Sequence, residues 1–229
     1  MGSTVAAIVV THNSASCMEQ CLQALADQIE IAVDVVVVDC GSDDISYLQE
    51  LRNIFSFQLV EEENIGFSRA NNAGYAVLAD TIEYVLFLNP DVFLSRSFLQ
   101  SALRISKENP QAAIVSGKLL GYDLHKKKAS GRIDSTGVIR KFYGRWVDRG
   151  KGEADQGQYD TSEELTALCG ALLFCRKEAL DSLQDFVFDP DFFLYKEDVE
   201  LCMRLLKGGW KLLYHPELTA FHCRGWQGE

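Results

Sequence analysis

No stretch of this chain approaches the ~20 consecutive apolar residues that a membrane-spanning helix needs. The two common glycine-rich phosphate cradles, the P-loop and a GxGxxG turn after the first strand, are also missing. A bound nucleotide would therefore have to be held by side chains at strand ends. There is no CxxC pair. The seven cysteines are odd in number and scattered, which suits a reducing, cytoplasmic compartment better than a disulfide framework. Cations are in deficit, with 22 Lys and Arg against 33 Asp and Glu for a net charge of −11. Nucleic acid is accordingly not an expected partner, because its binding depends on neutralised phosphates. No internal repeat and no Pro- or Ser-rich linker divides the chain. Its 229 residues, 47% hydrophobic and 24% charged, read as one globular domain over 1–229.

What is present is an alternation of strands and helices. Val5 to Val10 is a continuous apolar, β-rich run without a basic flank, which predicts a strand covered on both faces and not a leader peptide. A polar turn, Thr11-His12-Asn13-Ser14, leads into helical spacing of Cys17, Cys21, Leu22 and Leu25. Strands are expected at 33–38, 57–60 and 84–88, with helices near 45–53 and 64–79. This order implies a doubly wound, largely parallel sheet. Ligands in such sheets lie outside the carboxyl ends of the strands. The polar clusters at 11–14, 39–44, 64–72 and 89–91 all fall there. Residues 121–164 are rich in Gly, Lys, Asp and Arg and weakly periodic, as expected of long loops or a hairpin excursion. Order returns with a strand at 166–175, helices near 176–183 and 198–207, and a strand at 210–214. Asp198 occupies the expected N-cap and Gly208-Gly209 the expected C-cap of the second helix. The Lys126 to Lys128 run reads as a solvated loop that could also face an anionic acceptor or membrane surface.

Two carboxylate clusters carry chemistry. Asp91 follows an apolar strand and Pro90, which stiffens the turn. A carboxylate there suits Mg2+ or Mn2+ bridging to substrate phosphates, or it is an ordinary turn residue. Glu197-Asp198 opens a helix, where the terminus favours an anion. That position serves capping, a general base, or both. His222 lies just beyond the last expected strand.

Taken together and in order, these pieces resemble the family 2 glycosyltransferases, inverting enzymes of the GT-A fold, and most nearly their rhamnosyltransferase-like branch. The resemblance rests on Val9-Val10-Thr11-His12-Asn13, Val38-Asp39-Cys40-Gly41-Ser42-Asp43-Asp44, Asn64-Ile65-Gly66-Phe67 with Ala70-Asn71-Asn72, Leu88-Asn89-Pro90-Asp91, Gly170-Ala171, Glu197-Asp198 with Arg204, and Pro216 with His222. It implies a three-layer α/β/α fold with a mostly parallel central sheet. It divides the chain into a nucleotide-binding half, 1–91, and an acceptor and catalytic half, 92–229. Thr11, Asn13, Asp39 and Asp43 would surround the nucleoside. Asn64, Gly66 and Asn71 would line its pocket, with Arg69 toward the diphosphate. Asn89-Pro90-Asp91 stands where the family carries DxD, with Asn replacing the first Asp, so Asp91 would bind the metal with His222. Asp198 would be the catalytic base, and Glu197 and Arg204 would shape the acceptor or donor side.

The implied reaction moves a sugar from a nucleoside-diphosphate sugar, dTDP-rhamnose first and UDP-sugars next, to a hydroxyl of a glycan or lipid-linked acceptor. This would serve cell-surface polysaccharide synthesis, at the inner face of a membrane. Two other readings compete. A sugar nucleotidyltransferase would show a Gly- and Arg-rich loop after the first strand, which Thr11-His12-Asn13-Ser14 is not. A non-catalytic sugar-nucleotide or glycan-binding module has no need of Asp91, Asp198 and His222 together.

Overall fold

The computed structural model describes residues 4–224. The first half is a regular β/α alternation. Strand β1 (Val5–Thr11) is followed by α1 (Ala15–Ala26), β2 (Val33–Cys40), α2 (Ser46–Leu51), β3 (Gln58–Glu62), α3 (Phe67–Ala76) and β4 (Tyr84–Leu88). All seven residues of β1 are buried, so the apolar run is covered on both faces, as its lack of alternation predicts. β1 pairs in parallel with β2 on one side and β4 on the other, and β2 pairs in parallel with β3. The carboxyl ends of these strands therefore open on the same edge.

The second half completes the sheet by longer-range pairing. It comprises β5 (Val92–Leu94), α4 (Phe98–Glu108), β6 (Ala112–Asp123), β7 (Lys128–Ser135), β8 (Val138–Arg140), β9 (Trp146–Asp148) and β10 (Glu163–Glu164). These are followed by β11 (Leu172–Arg176), α5 (Lys177–Asp181), α6 (Glu197–Lys207) and β12 (Lys211–His222). The order across the sheet is β10-β12-β6-β11-β4-β1-β2-β3. β11 runs against both β4 and β6, and β12 runs parallel to β6. Consequently β3, β2, β1, β4, β6 and β12 share one direction, and β11 alone in this central set opposes them.

Of the two alternatives for 121–164, the structure takes the hairpin: β6–β7 is paired to the sheet and β8–β9 stands apart from it. Two expectations need revising. The last strand does not end at 214. It runs to His222, with its pairing to β6 interrupted between Tyr214 and Thr219, around Pro216, which has no N–H to offer a ladder. The strand expected at 166–175 begins only at Leu172. At the interruption a Cβ on Gly117 would lie 1.8 Å from the Leu218 carbonyl oxygen, so only glycine lets the two backbones meet.

Candidate active site

The loops after β1, β2 and β4 and the start of α3 enclose one cavity of about 590 Å³. A second, of about 600 Å³, lies against it and is walled by α6, β12 and the β8–β9 hairpin. Phe67, Asn89, Asp91, Leu194 and Arg224 border both, so the two form one cleft. Each volume is in the range of small-molecule sites.

The first compartment is built on tight turns. Asp39 is buried and spends both carboxylate oxygens on Ser42, accepting from its backbone N–H at 3.0 Å and its hydroxyl at 2.5 Å. The Ser42 hydroxyl oxygen in turn accepts from the Asn13 N–H at 2.8 Å. The Asn13 side chain exchanges two hydrogen bonds with Asp43, through its backbone N–H at 2.9 Å and its carboxylate at 3.1 Å. Thr11 is buried against the Tyr47 hydroxyl at 2.9 Å. Of the expected nucleoside residues, Asn13, Asn64 and Gly66 line the cavity, joined by His12. Thr11 and Asp39 stand behind it, and the exposed Asp43 braces the Asn13 loop. Gly66 takes φ +84°, and a Cβ there would meet Phe193 at 2.7 Å.

Two residues of α3 are placed elsewhere. Asn71 is buried and donates to the Phe67 carbonyl at 2.9 Å. Arg69 is on an exposed face, donating to the Pro190 carbonyl at 3.1 Å. The helical period turns Arg69 away from the cleft, whereas Asn71, one turn after Phe67 on the same face, is buried beneath it. Arg204 likewise leaves it, because Glu200 one turn earlier and the carbonyls of Phe186 and Val187 hold its guanidinium.

The junction of the compartments is where the halves of the chain meet. β5 pairs with β12 so that Val92 lies opposite His222. This brings the His222 Nε2 to 3.4 Å from the Asp91 carboxylate. On its other side, His222 Nδ1 is 2.7 Å from the carboxylate of Asp134. His222 is 1% exposed and Asp134 is 0%. Burial disfavours the imidazolium, but hydrogen bonds to Asp134 and Asp91 outweigh it and hold the imidazole up at about 8. Arg224 reaches Asp148 at 2.7 Å and borders both compartments.

Among the described residues, no three His, Cys, Asp or Glu converge to hold a metal unaided. The donor set nevertheless fits a hard divalent cation. Mg2+ and its analogues are usually held by one or two protein groups, with phosphates and water completing the shell. A ligating imidazole whose other nitrogen meets a carboxylate is a common support. Asn89 Oδ1 is buried beside Asp91 and accepts no hydrogen bond from the chain.

The second compartment holds the other carboxylate cluster. Asp198 is not the N-cap. Lys196 occupies that position in the left-handed conformation, φ +75°, and the helix starts one residue earlier than expected. The Asp198 carboxylate accepts from the backbone N–H of Gly170 at 3.0 Å and of Val199 at 2.8 Å. A Cβ on Gly170 would lie 2.9 Å from the Cβ of Asp198. Burial raises the Asp198 carboxyl above its ordinary value, opposed by those two N–H groups. Burial also pushes Glu197 up to about 7, with the adjacent Asp198 charge adding to it. Its Oε2 is buried without a partner from the chain.

The residues that the sequence reading did not single out are Asp134, Asp148 and Arg224. The first two sit in the weakly periodic 121–164 region. Arg224, two residues beyond His222, could have been read as a cation near a proposed metal ligand.

A mostly parallel sheet with a metal-compatible cleft at its carboxyl edge is the architecture of GT-A nucleotide-diphospho-sugar transferases, and solved structures of that class superpose on this chain. A mannosyltransferase from Pyrobaculum calidifontis, solved with GDP-Man and Mn2+, matches 99% of the chain with a TM-score of 0.69 at 19% identity. The chain spans 59% of that protein. GalNAc-T7, solved with UDP, GalNAc and Mn2+, matches with a TM-score of 0.76 at 14% identity, and the chain spans 45% of it. S. aureus TarS matches at 0.68 and 19%, the chain spanning 36% of it.

Residues 6–183 match the family described as Glycosyl transferase family 2, and the chain belongs to that family. Its curated relatives include an N-acetylglucosaminyl-diphospho-decaprenol L-rhamnosyltransferase of Mycobacterium tuberculosis. That protein is 24% identical over 97% of this chain and 76% of its own length. The rhamnosyltransferase WbbL of Escherichia coli is 24% identical over 94% of the chain and 81% of its own length. The chain is therefore a rhamnosyltransferase-like member of the family, as the sequence resemblance implied.

Proposed function

We propose that the protein transfers a sugar with inversion from a nucleoside-diphosphate sugar to an acceptor hydroxyl, dTDP-rhamnose being the first donor to test and UDP-sugars the next. The observation that carries this reading is the placement of Asp198. Its half-buried carboxylate, fixed by two backbone N–H groups, faces the same cleft as Asp91 and His222. A base that takes a proton at the moment of attack needs such rigid positioning.

The residues divide the work. Asn13, Asn64 and Gly66 line the compartment that receives the nucleoside. Asp91 and His222, with Asn89 beside them, would hold Mg2+ or Mn2+. When bound, the ion offsets charge on the diphosphate. Arg224 adds a cation facing the same place. Asp198 takes the proton of the acceptor hydroxyl. The oxygen attacks the anomeric carbon, the bond from that carbon to the diphosphate oxygen breaks, and the nucleoside diphosphate leaves with the electron pair. One carboxylate suffices, because the donor already carries its leaving group. The rhamnosyltransferase relatives support a glycan or lipid-linked acceptor and a role in cell-surface polysaccharide synthesis.

Asp198→Asn tests the reading. The amide keeps the shape but cannot take the proton, so transfer should fall by ~10²–10⁴-fold. Transfer near the wild-type rate in a folded variant would refute the base.

A further inference from the structure

The β8–β9 hairpin carries an exposed aromatic tip that the site does not use. Phe142 is 100% exposed and Tyr143 61%. The two rings pack edge to face on each other, with centroids 5.0 Å apart. The tip is a closed turn: the Lys141 N–H donates to the Arg145 carbonyl and the Gly144 N–H to the Lys141 carbonyl, both at 2.8 Å. Gly144 supplies the positive φ, +87°. The aromatics are therefore held outward by a formed turn.

The charge around them is anomalous. Residues 138–151 hold five cations, Arg140, Lys141, Arg145, Arg149 and Lys151, against the single anion Asp148, in a chain of net charge −11. Arg149 is committed to Glu163, which leaves Arg140, Lys141 and Arg145 flanking the rings. The base of the same hairpin walls the catalytic compartment through Trp146, Val147 and Asp148. Across that compartment lies a second exposed apolar group, Phe193, Leu194 and Tyr195.

We propose that the hairpin tip docks the protein on an anionic lipid bilayer, with Phe142 and Tyr143 entering the interface and Arg140, Lys141 and Arg145 meeting acidic headgroups. Aromatic rings settle at the membrane–water boundary, and interfacial binding combines buried apolar area with attraction of cations to acidic lipid. An acidic protein is repelled by such a surface everywhere except where its cations cluster, so charge selects this face. Docking there would hold the mouth of the cleft beside the bilayer, within reach of a lipid-linked acceptor. The Lys126 to Lys128 turn is basic too, but Lys126 is paired with Asp123 and none of the exposed large apolar residues is in that turn.

Flotation of the whole protein with vesicles of phosphatidylcholine, with and without phosphatidylglycerol, tests the proposal with neither donor nor acceptor present. It therefore stands or falls apart from the sugar-transfer reading. Binding is expected only to the phosphatidylglycerol vesicles and should weaken with salt. Replacing Arg140 and Lys141 with Glu should weaken it by more than about twenty-fold, since each cation near such a surface contributes roughly five-fold. Phe142→Ser with Tyr143→Ser should weaken it while leaving the thermal midpoint unchanged. Absence of binding would overturn the proposal. So would binding that survives the tip substitutions but is lost with Lys127→Glu and Lys128→Glu. Concentration-dependent dimers lost in the tip variant, without vesicle binding, would assign the tip to a protein contact instead.

Discussion

Residues 4–91 and 92–224 contribute to one cleft by different means. In the first stretch the polar cleft-facing groups follow a parallel strand or open the next helix: His12 and Asn13 after β1, Asn64 and Gly66 before α3, Asn89 and Asp91 after β4. In the second, the groups come from elements far apart in the chain. Asp134 comes from β7, Asp148 from β9, Asp198 from α6 and His222 from β12. The first stretch is a local, repeating device for presenting loops. The second is a long-range assembly that delivers carboxylates and an imidazole to what those loops hold. Ligand binding should be vulnerable in the first, and chemistry in the second.

The sharpest way to break that division is at Asp91, where the first stretch meets His222 of the second. Asp91→Ala should lower transfer by at least about a hundred-fold, the scale of losing one preorganised electrostatic contact to a charged leaving group. Mn2+ affinity measured with nucleoside diphosphate present should fall with it. Full activity in this variant would remove the metal role.

Glu197 offers a test within the second stretch that does not depend on activity. Its folded carboxyl is raised to about 7 from 4.5, so the unfolded chain gives up this proton first. Its contribution to stability is greatest below pH 4.5, declines as pH rises to about 7, and stays low beyond. Glu197→Gln should remove that slope. At pH 8 the variant should be more stable than wild type by up to about 3 kcal/mol, and at pH 4 no more stable. Urea midpoints across this range check it, and parallel curves would contradict it.

Asp134 should have a smaller effect, exerted through His222. Loss of a carboxylate behind a ligating imidazole commonly weakens metal affinity by about 10–100-fold. Asp134→Asn should do so in a direct Mn2+ titration while leaving metal-free nucleotide binding near wild type. The smallest effect belongs to Arg69, whose guanidinium is turned to Pro190. Arg69→Ala should change donor affinity by less than about three-fold, and Arg224→Ala by more, through loss of a charge-assisted contact. The reverse order would return the diphosphate contact to α3.

The same contrast explains what could be read from sequence. β1, β2 and β4 announce themselves because a buried parallel strand is a short unbroken apolar run, and its polar terminus marks the cleft edge. That logic puts Asn13, Asn64, Asn89 and Asp91 at the cleft edge, and all four line the first cavity. It could not separate cleft-facing residues from those that brace the loops: Asp39 and Asn13 both lie at strand ends, and only the fold shows Asp39 buried against Ser42 while Asn13 lines the cavity. It puts Arg69 in the pocket because proximity in sequence does not state which face of α3 it occupies, and Asn71 because nothing in the sequence shows that its amide is spent on the Phe67 carbonyl. Asp198 was recognised as the start of a helix, but the left-handed Lys196 that shifts the helix start has no signature in the sequence. Asp134 and Asp148 were hidden because their partners, His222 and Arg224, lie about eighty residues away.

We infer that the first stretch binds the donor's nucleotide and the second performs the transfer. The most direct test is calorimetric titration of dTDP or UDP, with Mn2+, into wild type, Asp91→Ala and Asp198→Asn, alongside sugar transfer by each. Both variants should lose transfer, Asp198→Asn should bind the nucleotide as wild type does, and Asp91→Ala should bind it poorly. Equal loss of nucleotide binding in both variants would contradict it.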